Sequence, residues 1–351
     1  MAYTTIDDPS AHFQIALWTG DGATPSITND GNSDLQPDLL WGKNRTGTAD
    51  HHYLIDSTRG TGKYVLSNSS SAEITNAAIS SFNTDGFTLT TDVGLNRSSS
   101  TFVGWQWKAN GGTTTTNDAS STGVGSQDSV YQANTTAGFS IVTYGPLGSG
   151  GTIAHGLGTT PHLMFVKSLG GSRDWAVYHH KLTSAPETDH VHLNENHATA
   201  DETIWNDTAP TSTVFSVSGD GKVGTDEAYV AYCFAEVQGY SKFGTYTGNN
   251  SANGAFIYTG FKPAFFMWKR YDHSTGWGMI DSTRNPYNQG FFQSGPDDTD
   301  GNADYDLGDF LSNGLKWRNT FGDTNSVNPY IYMAFAENPF VSSEGVPCTA
   351  R

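Results

Sequence analysis

The sequence predicts an all-β protein made of three tandem β-sandwich modules of about 100 residues each, a common domain size. The first observation is composition: the 351 residues include 40 glycines, 13% aromatic side chains and only 15% charged ones. Glycine, Asn and Asp adopt turn conformations readily, so this composition is typical of short strands joined by many turns. The second observation is that one pattern of residues recurs three times along the chain, as it does in repeat architectures.

The recurring pattern is a proline followed six positions later by a lysine. It reads Pro-Asp-Leu-Leu-Trp-Gly-Lys, Pro-His-Leu-Met-Phe-Val-Lys and Pro-Ala-Phe-Phe-Met-Trp-Lys. The apolar residues between the two ends lack polar alternation, which predicts a central strand covered on both faces. The proline is tolerated because the first residue of a strand need not donate to the ladder, and we expect the lysine to mark the return to solvent. The six positions are Pro37 and Lys43, Pro161 and Lys167, and Pro263 and Lys269.

Other predicted strands flank the central one in each repeat. An opening strand begins at Phe13, Phe139 and Phe243, and alternate residues of each strand share a face. Asp-Gly and Asn-Gly pairs, at 85–86 and 313–314, predict tight turns. Each repeat closes on an aromatic strand, at 102–107, 229–236 and 330–337. This pattern predicts six or seven strands per module, the spacing of a β-sandwich.

The boundaries follow from where the pattern begins and ends. The predicted parts are an N-terminal docking segment at 1–11, module 1 at 12–109, a segment rich in Thr, Ser and Gly at 110–138, module 2 at 139–242, module 3 at 243–340 and a C-terminal tail at 341–351. The segment at 110–138 is either a flexible spacer or an arm that packs on a neighbouring subunit through Val130 and Tyr131. Removal of the docking segment is expected to leave the modules folded.

Charge and hydropathy exclude several classes of protein. The formal net charge of −17 argues against nucleic-acid binding, which depends on clustered Lys and Arg. No apolar run approaches the roughly 20 residues that cross a bilayer, and the first residues lack the pattern of a signal peptide. We therefore expect synthesis in the cytoplasm without export and no membrane insertion. The two cysteines, Cys233 and Cys348, are not expected to form a disulfide.

An Asp and an Arg three residues apart occur in two repeats, within the shared string Ile-Asp-Ser-Thr-Arg. They are Asp56 with Arg59 and Asp281 with Arg284, whereas His179 replaces the Asp in repeat 2. The pair could bind a sugar or a carboxylate. Because the string recurs where the surrounding loops differ, we interpret it as a structural corner, with ligand contact as the alternative.

Histidines cluster in repeat 2. His190 and His192 would share a face of a strand, which is compatible with two metal ligands. No Cys or carboxylate stands at a characteristic zinc spacing, so a glycan-binding or partner-binding patch and a solvated loop are the alternatives. The candidate binding residues are His179, His190, His192, His197 and Trp205.

The most acidic stretch lies at 297–309 in repeat 3. Alternating carboxylates and amides could provide the six to eight oxygens that calcium takes. The EF-hand pattern fails because Ala303 stands where its glycine is required, so a solvated acidic loop is the alternative. The candidate cation ligands are Asp298, Asp300, Asn302, Asp304 and Asp306. No other cofactor is expected.

Motifs of common enzyme classes are missing from the sequence. There is no Gly-x-Ser-x-Gly elbow, and residues 59–64 lack the spacing and the Ser or Thr of a phosphate-binding loop. A glycosidase needs only two suitably spaced carboxylates, so polysaccharide cleavage remains open. We expect a non-enzymatic protein, with a polysaccharide depolymerase as an alternative.

Four stretches resemble virion proteins of tailed bacteriophages, especially those of marine and cyanobacterial hosts. They are the opening at 1–10, Gln-Pro-Asp-Leu-Leu-Trp-Gly-Lys-Asn-Arg at 36–45, Ile-Asp-Ser-Thr-Arg-Gly at 55–60 and Gly-Tyr-Ser-Lys-Phe-Gly-Thr-Tyr-Thr-Gly-Asn at 239–249. The resemblance spans nearly the whole chain and is weakest in repeat 2. It implies a virion structural protein, tail-fibre-like, with lectin-type modules of the jelly-roll or concanavalin-like kind.

The resemblance also implies a setting and partners. We expect a virion protein of the tail or fibre that is made in the host cytoplasm, contacts other virion proteins and binds host-surface polysaccharide as an adhesin. By analogy with phage fibres it would be a homo-oligomer, in particular a trimer. A capsid decoration or tail connector protein without glycan binding is the alternative.

Overall fold

The computed structural model describes residues 2–47, 49–288 and 291–349, and within them the fold is all-β, as predicted. The strands pair antiparallel in every sheet. The α-helices are single turns, Val93–Asn96 and Ala119–Thr122, and short 3₁₀ turns cover Pro9–Ala11, Pro186–Thr188 and Thr203–Trp205. No helix in the described part of the chain is long and apolar enough to cross a bilayer.

Repeat 1 (12–109) forms a large sheet and a small one. Its strands are β1 (Phe13–Thr19), β2 (Ser26–Ile27), β3 (Leu39–Asn44), β4 (Tyr53–Asp56), β5 (Lys63–Leu66), β6 (Ile74–Thr75), β7 (Ile79–Phe82), β8 (Phe87–Leu89) and β9 (Thr101–Trp107). The large sheet has the order β1-β9-β3-β4-β5-β6 and the small one β2-β8-β7. Trp18, Leu40 and Phe87 belong to the apolar cluster between the two sheets.

Repeat 2 (139–242) forms the second large sheet. The strands from 110 onwards are β10 (Thr115–Asn117), β11 (Ser129–Asn134), β12 (Phe139–Tyr144), β13 (Gly150–Ala154), β14 (Leu163–Ser168), β15 (Ala176–His179), β16 (Asp189–His190), β17 (Ala200–Asp201), β18 (Val214–Ser218) and β19 (Tyr229–Phe234). The large sheet has the order β10-β11-β12-β19-β14-β15, and β13-β18 and β16-β17 form two-stranded sheets.

Repeat 3 (243–340) forms the third large sheet. The strands are β20 (Ser241–Thr247), β21 (Phe256–Tyr258), β22 (Phe261–Arg270), β23 (Trp277–Asp281), β24 (Phe291–Gln293), β25 (Ala303–Tyr305), β26 (Gly308–Leu311), β27 (Gly314–Trp317) and β28 (Pro329–Pro339). The large sheet has the order β20-β28-β22-β23, the small one β21-β27-β26, and β24 pairs with β25.

The three large sheets share one four-stranded unit. The orders β1-β9-β3-β4, β12-β19-β14-β15 and β20-β28-β22-β23 place the Pro-to-Lys strand beside the closing strand each time. Every residue of β3 and β14 is buried, which confirms the prediction of a strand covered on both faces. The prolines differ in position: Pro37 and Pro161 precede their strands, whereas Pro263 lies inside β22 at a β-bulge, another site where a strand tolerates proline.

The opening strand of repeat 3 is shifted by two residues from the sequence alignment. In repeats 1 and 2, Phe13 and Leu39 lie opposite the same residue of the closing strand, and so do Phe139 and Leu163. In repeat 3 the residue that shares its partner with Phe265 is Ser241. Phe243 occupies the next inward position along the strand. Because the period of a strand is two, the shift leaves the same face turned inward.

The second face of each large sheet packs against the other repeats. One cluster of buried side chains contains residues of all three repeats, and it is separate from the clusters between large and small sheets. At its centre, Trp107, Phe234 and Phe335 occupy equivalent places on the three closing strands, with ring centroids 5.5 to 6.3 Å apart. The repeats are therefore arranged around a common core, rather than as independent tandem modules.

The lysine of each repeat is buried, so the expectation that it marks a return to solvent is wrong. Lys43, Lys167 and Lys269 are each 0% exposed. Backbone carbonyls take the place of water: Lys43 Nζ donates to Asp50 O and Thr299 O. Burial lowers the pKa of each of these lysines to about 8.

The segment at 110–138 is part of the fold, which corrects both predictions made for it. Its strands β10 and β11 extend the large sheet of repeat 2 by pairing onto β12. Asp38 fixes its beginning, because the carboxylate accepts hydrogen bonds from the backbone N–H groups of Ala109, Gly111 and Gly112. Val130 and Tyr131 lie in β11 inside this sheet and do not anchor a free arm.

The N-terminal segment also packs into the molecule. Ile6 is 3% exposed and belongs to the central core. Thr4 Oγ1 donates to Gln238 O, and Asp7 accepts hydrogen bonds from Ser343 of the C-terminal tail. This segment is therefore not a free docking peptide, and its removal would open the core.

We predict that Ile6→Ala destabilises the protein. Loss of a buried isoleucine side chain removes burial and leaves a cavity, which costs about 2–5 kcal/mol. Val327→Ala is the matched control, because Val327 is 68% exposed and its truncation should change stability by less than about 0.5 kcal/mol. Urea unfolding of both variants checks this, and equal midpoints would show that the Ile6 side chain contributes nothing to the core.

Candidate functional site

The Asp–Arg corners are occupied by contacts within the protein. Asp281 and Arg284 are fully buried and joined by a 2.5 Å hydrogen bond from Nε to Oδ2. Arg284 also donates to Met279 O, Ser294 Oγ and Asn302 Oδ1. Asp56 and Arg59 form the same buried pair at 2.6 Å. With their hydrogen bonds satisfied inside the protein, these groups are not available to a ligand.

Each corner contacts the closing strand of another repeat. Tyr232 of repeat 2 donates its hydroxyl to Asp56, and Trp105 of repeat 1 donates its indole N–H to Asp281. In repeat 3 the equivalent residue is Met333, which has no proton to donate. The corner of repeat 2 that faces this strand has His179 in place of the Asp, and His179 Nε2 lies 3.2 Å from Tyr332 O. Burial lowers the pKa of His179 to about 3, so its ring is neutral.

The three interfaces between repeats differ in the groups that surround the buried lysines. Between repeats 3 and 1 the backbones meet directly, since Asn302 N donates to Arg45 O. Between repeats 1 and 2, Lys167 Nζ donates to Ser70 O, Ser168 O and Arg173 O beside a cavity of about 340 Å³ lined by polar residues that include Lys222. These two interfaces therefore supply several acceptors for the buried ammonium group.

The interface between repeats 2 and 3 leaves the lysine with fewer partners. Within the described residues, Lys269 Nζ has one hydrogen-bond acceptor, Thr275 O at 2.7 Å, and it lies 5.6 Å from the Trp277 ring centroid. Beside it is a cavity of about 410 Å³, and we call it the acidic cavity. Its lining residues are Asn194, Glu195, Asn196, Trp268, Gly276, Trp277, Gln293, Asp297, Asp298 and Asp323.

The acidic cavity combines carboxylates, amides and indole rings. Asp297 accepts a hydrogen bond from Trp277 N, and Trp277 in turn donates its indole N–H to His192 O of repeat 2. Burial raises the pKa of Asp297 to about 6, so the group is mainly ionised at neutral pH. Trp268 is held by a hydrogen bond from its indole N–H to Asp323 O. These contacts fix the walls of the cavity.

A second cavity of about 330 Å³ adjoins the acidic one. The two share Gln293 and Asp323, and the second adds Tyr305, Phe321, Gly322 and Thr324. Tyr305 and Phe321 are 44% and 47% exposed, and their rings meet edge to face with centroids 5.9 Å apart. We call the two cavities together the groove. It has acidic and amide groups at one end and exposed aromatic rings at the other.

The predicted histidine site is dispersed. His179 and Trp205 are each 1% exposed, so the prediction that they contact a partner at the surface is wrong. His190 and His192 do lie together, with their Nε2 atoms 2.9 Å apart. Burial lowers the pKa of both rings, so they are neutral near pH 7. His197 is exposed, and its ring centroid lies 6.1 Å from that of His192.

The predicted cation ligands are also separated. Asp298 lines the acidic cavity, and its carboxylate accepts a hydrogen bond from Asp300 N. Asn302 is a hydrogen-bond acceptor for Arg284, whose positive charge disfavours a cation there. Asp304 lies on β25 and Asp306 beyond it, both exposed. In the part of the chain that the structure describes, no group of three or more His, Cys, Asp or Glu side chains is placed to hold a metal.

Two segments that the sequence singled out separately meet at the groove. Residues 194–196 follow the histidine-rich strand of repeat 2, and Asp297 and Asp298 begin the acidic stretch of repeat 3. The sequence did not identify Gln293, Tyr305 or Phe321. The groove offers hydrogen-bond acceptors and donors beside aromatic faces, which suits a ligand that is polar at its edges and apolar on its faces.

A family model described as "Domain of unknown function (DUF7483)" matches residues 8–339. No curated protein and no solved structure matches the chain.

Proposed function

We propose that this chain, which belongs to the DUF7483 domain family, is a non-enzymatic virion structural protein of a tailed bacteriophage that binds host-surface glycans through the groove. The observation that carries the proposal is the groove, in which the acidic cavity between repeats 2 and 3 adjoins a cavity of repeat 3 that exposes Tyr305 and Phe321. Sugar rings have hydroxyl groups at their edges and C–H groups on their faces. Carboxylates and amides bind the former, and aromatic rings pack against the latter.

The departure of this interface from the other two supports the assignment. Lys167 has three carbonyl acceptors, whereas Lys269 has one within the described residues, although it is fully buried. A buried ammonium group with few partners is unfavourable. The carboxylate of Asp297, which lines the acidic cavity, provides an opposite charge for this ammonium group, so the cavity lies where the other two interfaces have further backbone acceptors.

The setting is part of the same proposal. The sequence resemblance supports a place in the tail or fibre, with other virion proteins as partners, and we propose that each large sheet and its small sheet form a jelly-roll or concanavalin-like sandwich. A trimer by analogy with phage fibres is the proposed oligomer. Cryo-electron microscopy of the virion distinguishes this place from a capsid decoration or tail connector.

We predict that the purified protein is retained on envelopes of its bacterial host and that the double variant Tyr305→Ala/Phe321→Ala binds them about tenfold more weakly, because stacking on aromatic rings is lost. Phe256→Ala is the matched control. Phe256 is 45% exposed and does not line the groove, so its truncation removes a similar exposed ring without affecting binding.

The outcomes separate three functions. Equal retention of the double variant and the control would contradict the groove as the binding site, and no retention on any host envelope would contradict glycan binding. Release of reducing sugar ends from envelope polysaccharide, abolished by Asp297→Asn, would instead establish a depolymerase, because a carboxyl group with a raised pKa can act as a general acid.

A further inference from the structure

We infer that the groove discriminates by charge: it takes neutral or amino-bearing glycans and rejects polysaccharides that carry carboxylate, sulfate or phosphate groups. This inference rests on the proposed glycan binding and names the class of glycan. It follows from the lining of the acidic cavity: among the described residues that form it, four side chains are acidic and none is basic. The four are Glu195, Asp297, Asp298 and Asp323.

The nearest cations are held behind the wall of the cavity. Lys269 is fully buried, with its ammonium group bonded to Thr275 O, and Lys43 near Asp298 is bonded to Asp50 O and Thr299 O. Neither lines the cavity. They reduce the net negative charge of the site, but neither can contact an anion in the cavity directly. Direct contact with a cationic side chain is the usual means of binding carboxylate or phosphate groups.

The cavity between repeats 1 and 2 provides a contrast within the same molecule. Its lining contains two cationic side chains, Arg173 and Lys222, beside two acidic ones, Asp174 and Asp220. The negative charge of the acidic cavity is therefore specific to the interface between repeats 2 and 3 and is not shared by the interface between repeats 1 and 2. An anionic sugar brought into it would face like charges at close range, and the overall charge of −17 would slow its approach.

The test is an array on which each neutral glycan is printed beside its amino-bearing, carboxylated and sulfated derivatives, probed with the full chain at low and high salt. We expect the anionic derivatives to bind at least tenfold more weakly than their neutral parents. The difference should shrink at 1 M salt, where the screening length falls to about 3 Å. The variant Asp297→Asn/Asp298→Asn keeps side-chain size and removes two charges, so it should bind anionic derivatives more tightly than the unmodified chain does.

A control separates this local effect from the overall charge. The variant Asp174→Asn/Asp220→Asn removes two charges at the 1/2 interface, and it should leave the discrimination unchanged. Equal or tighter binding of anionic derivatives by the unmodified chain would overturn the inference while leaving glycan binding intact. Relaxation by both double variants alike would overturn the assignment to the acidic cavity. Binding to no member of the array would overturn the proposed function and this inference with it.

Discussion

Repeat 2 produced alone, with its edge strands as residues 113–242, is expected to remain unfolded in aqueous buffer. One face of its large sheet is covered by its own β13 and β18, but the other is covered by repeats 1 and 3. Excision would expose aromatic and aliphatic side chains that are at most 2% exposed in the full chain: Phe139, Ile141, Leu163, Phe165, Val177, Tyr232 and Phe234. Each such side chain contributes roughly 1.5–3 kcal/mol through burial.

Together those losses are as large as the whole stability of a typical domain, which is about 5–15 kcal/mol. The full chain should therefore unfold in one cooperative transition, because no repeat retains a complete core when another opens. Circular dichroism and amide-proton NMR dispersion of the fragment, compared with calorimetry of the full chain, check this. A fragment with dispersed signals and its own cooperative melting would contradict the shared core, as would three separate transitions in the full chain.

The sequence contained a signal for this shared core. In a two-layer sandwich one face of each sheet meets water, so its strands alternate between apolar and polar residues. The strand at 163–166 does not alternate, which predicts cover on both faces, and the structure confirms this for β14. What the run could not identify is the covering element, since an apolar face is the same whether its own repeat or another one packs against it.

The buried lysines could not be predicted for a related reason. A lysine at the end of an apolar run usually returns the chain to water. Lys43 is instead enclosed by the carbonyls of Asp50 and Thr299, the second of which lies more than 250 residues away in the chain. The acceptors are backbone atoms, so no residue type records their presence. The recurrence of lysine in all three repeats was the available indication that the position is internal.

Parts of the candidate site were visible in the sequence, but its assembly was not. The histidine-rich and acidic stretches stood out because they differ between repeats, and each contributes to the acidic cavity. Their meeting depends on the arrangement of repeats 2 and 3 around the core. Tyr305 and Phe321 are 16 positions apart, and 13% of the residues in the chain are aromatic. Nothing in the sequence therefore distinguishes these two from the other aromatic residues, although their rings are in contact.

The buried corner of repeat 3 leads to the second large effect: Asp281→Ala is expected to lower the free energy of unfolding by about 3–5 kcal/mol. Asp281 accepts hydrogen bonds from Arg284 Nε, Arg284 N, Thr283 N and Trp105 Nε1. Its removal leaves the Arg284 guanidinium buried without its counter-charge. The matched control is Asp272→Ala, which breaks a partly exposed pair with Arg270 and should cost less than about 1 kcal/mol in urea unfolding.

A double variant shows whether the instability of Asp281→Ala comes from the unpaired charge of Arg284 or from the lost hydrogen bonds. Asp281→Ala/Arg284→Met removes more hydrogen bonds than Asp281→Ala alone, but it leaves no uncompensated charge in the interior. If the charge dominates, the double variant should be more stable than the single one. If the lost contacts dominate, it should be less stable. Repeat 2 favours the first outcome, because His179 and Leu182 stand at its corner, and this buried pair carries no charge near pH 7.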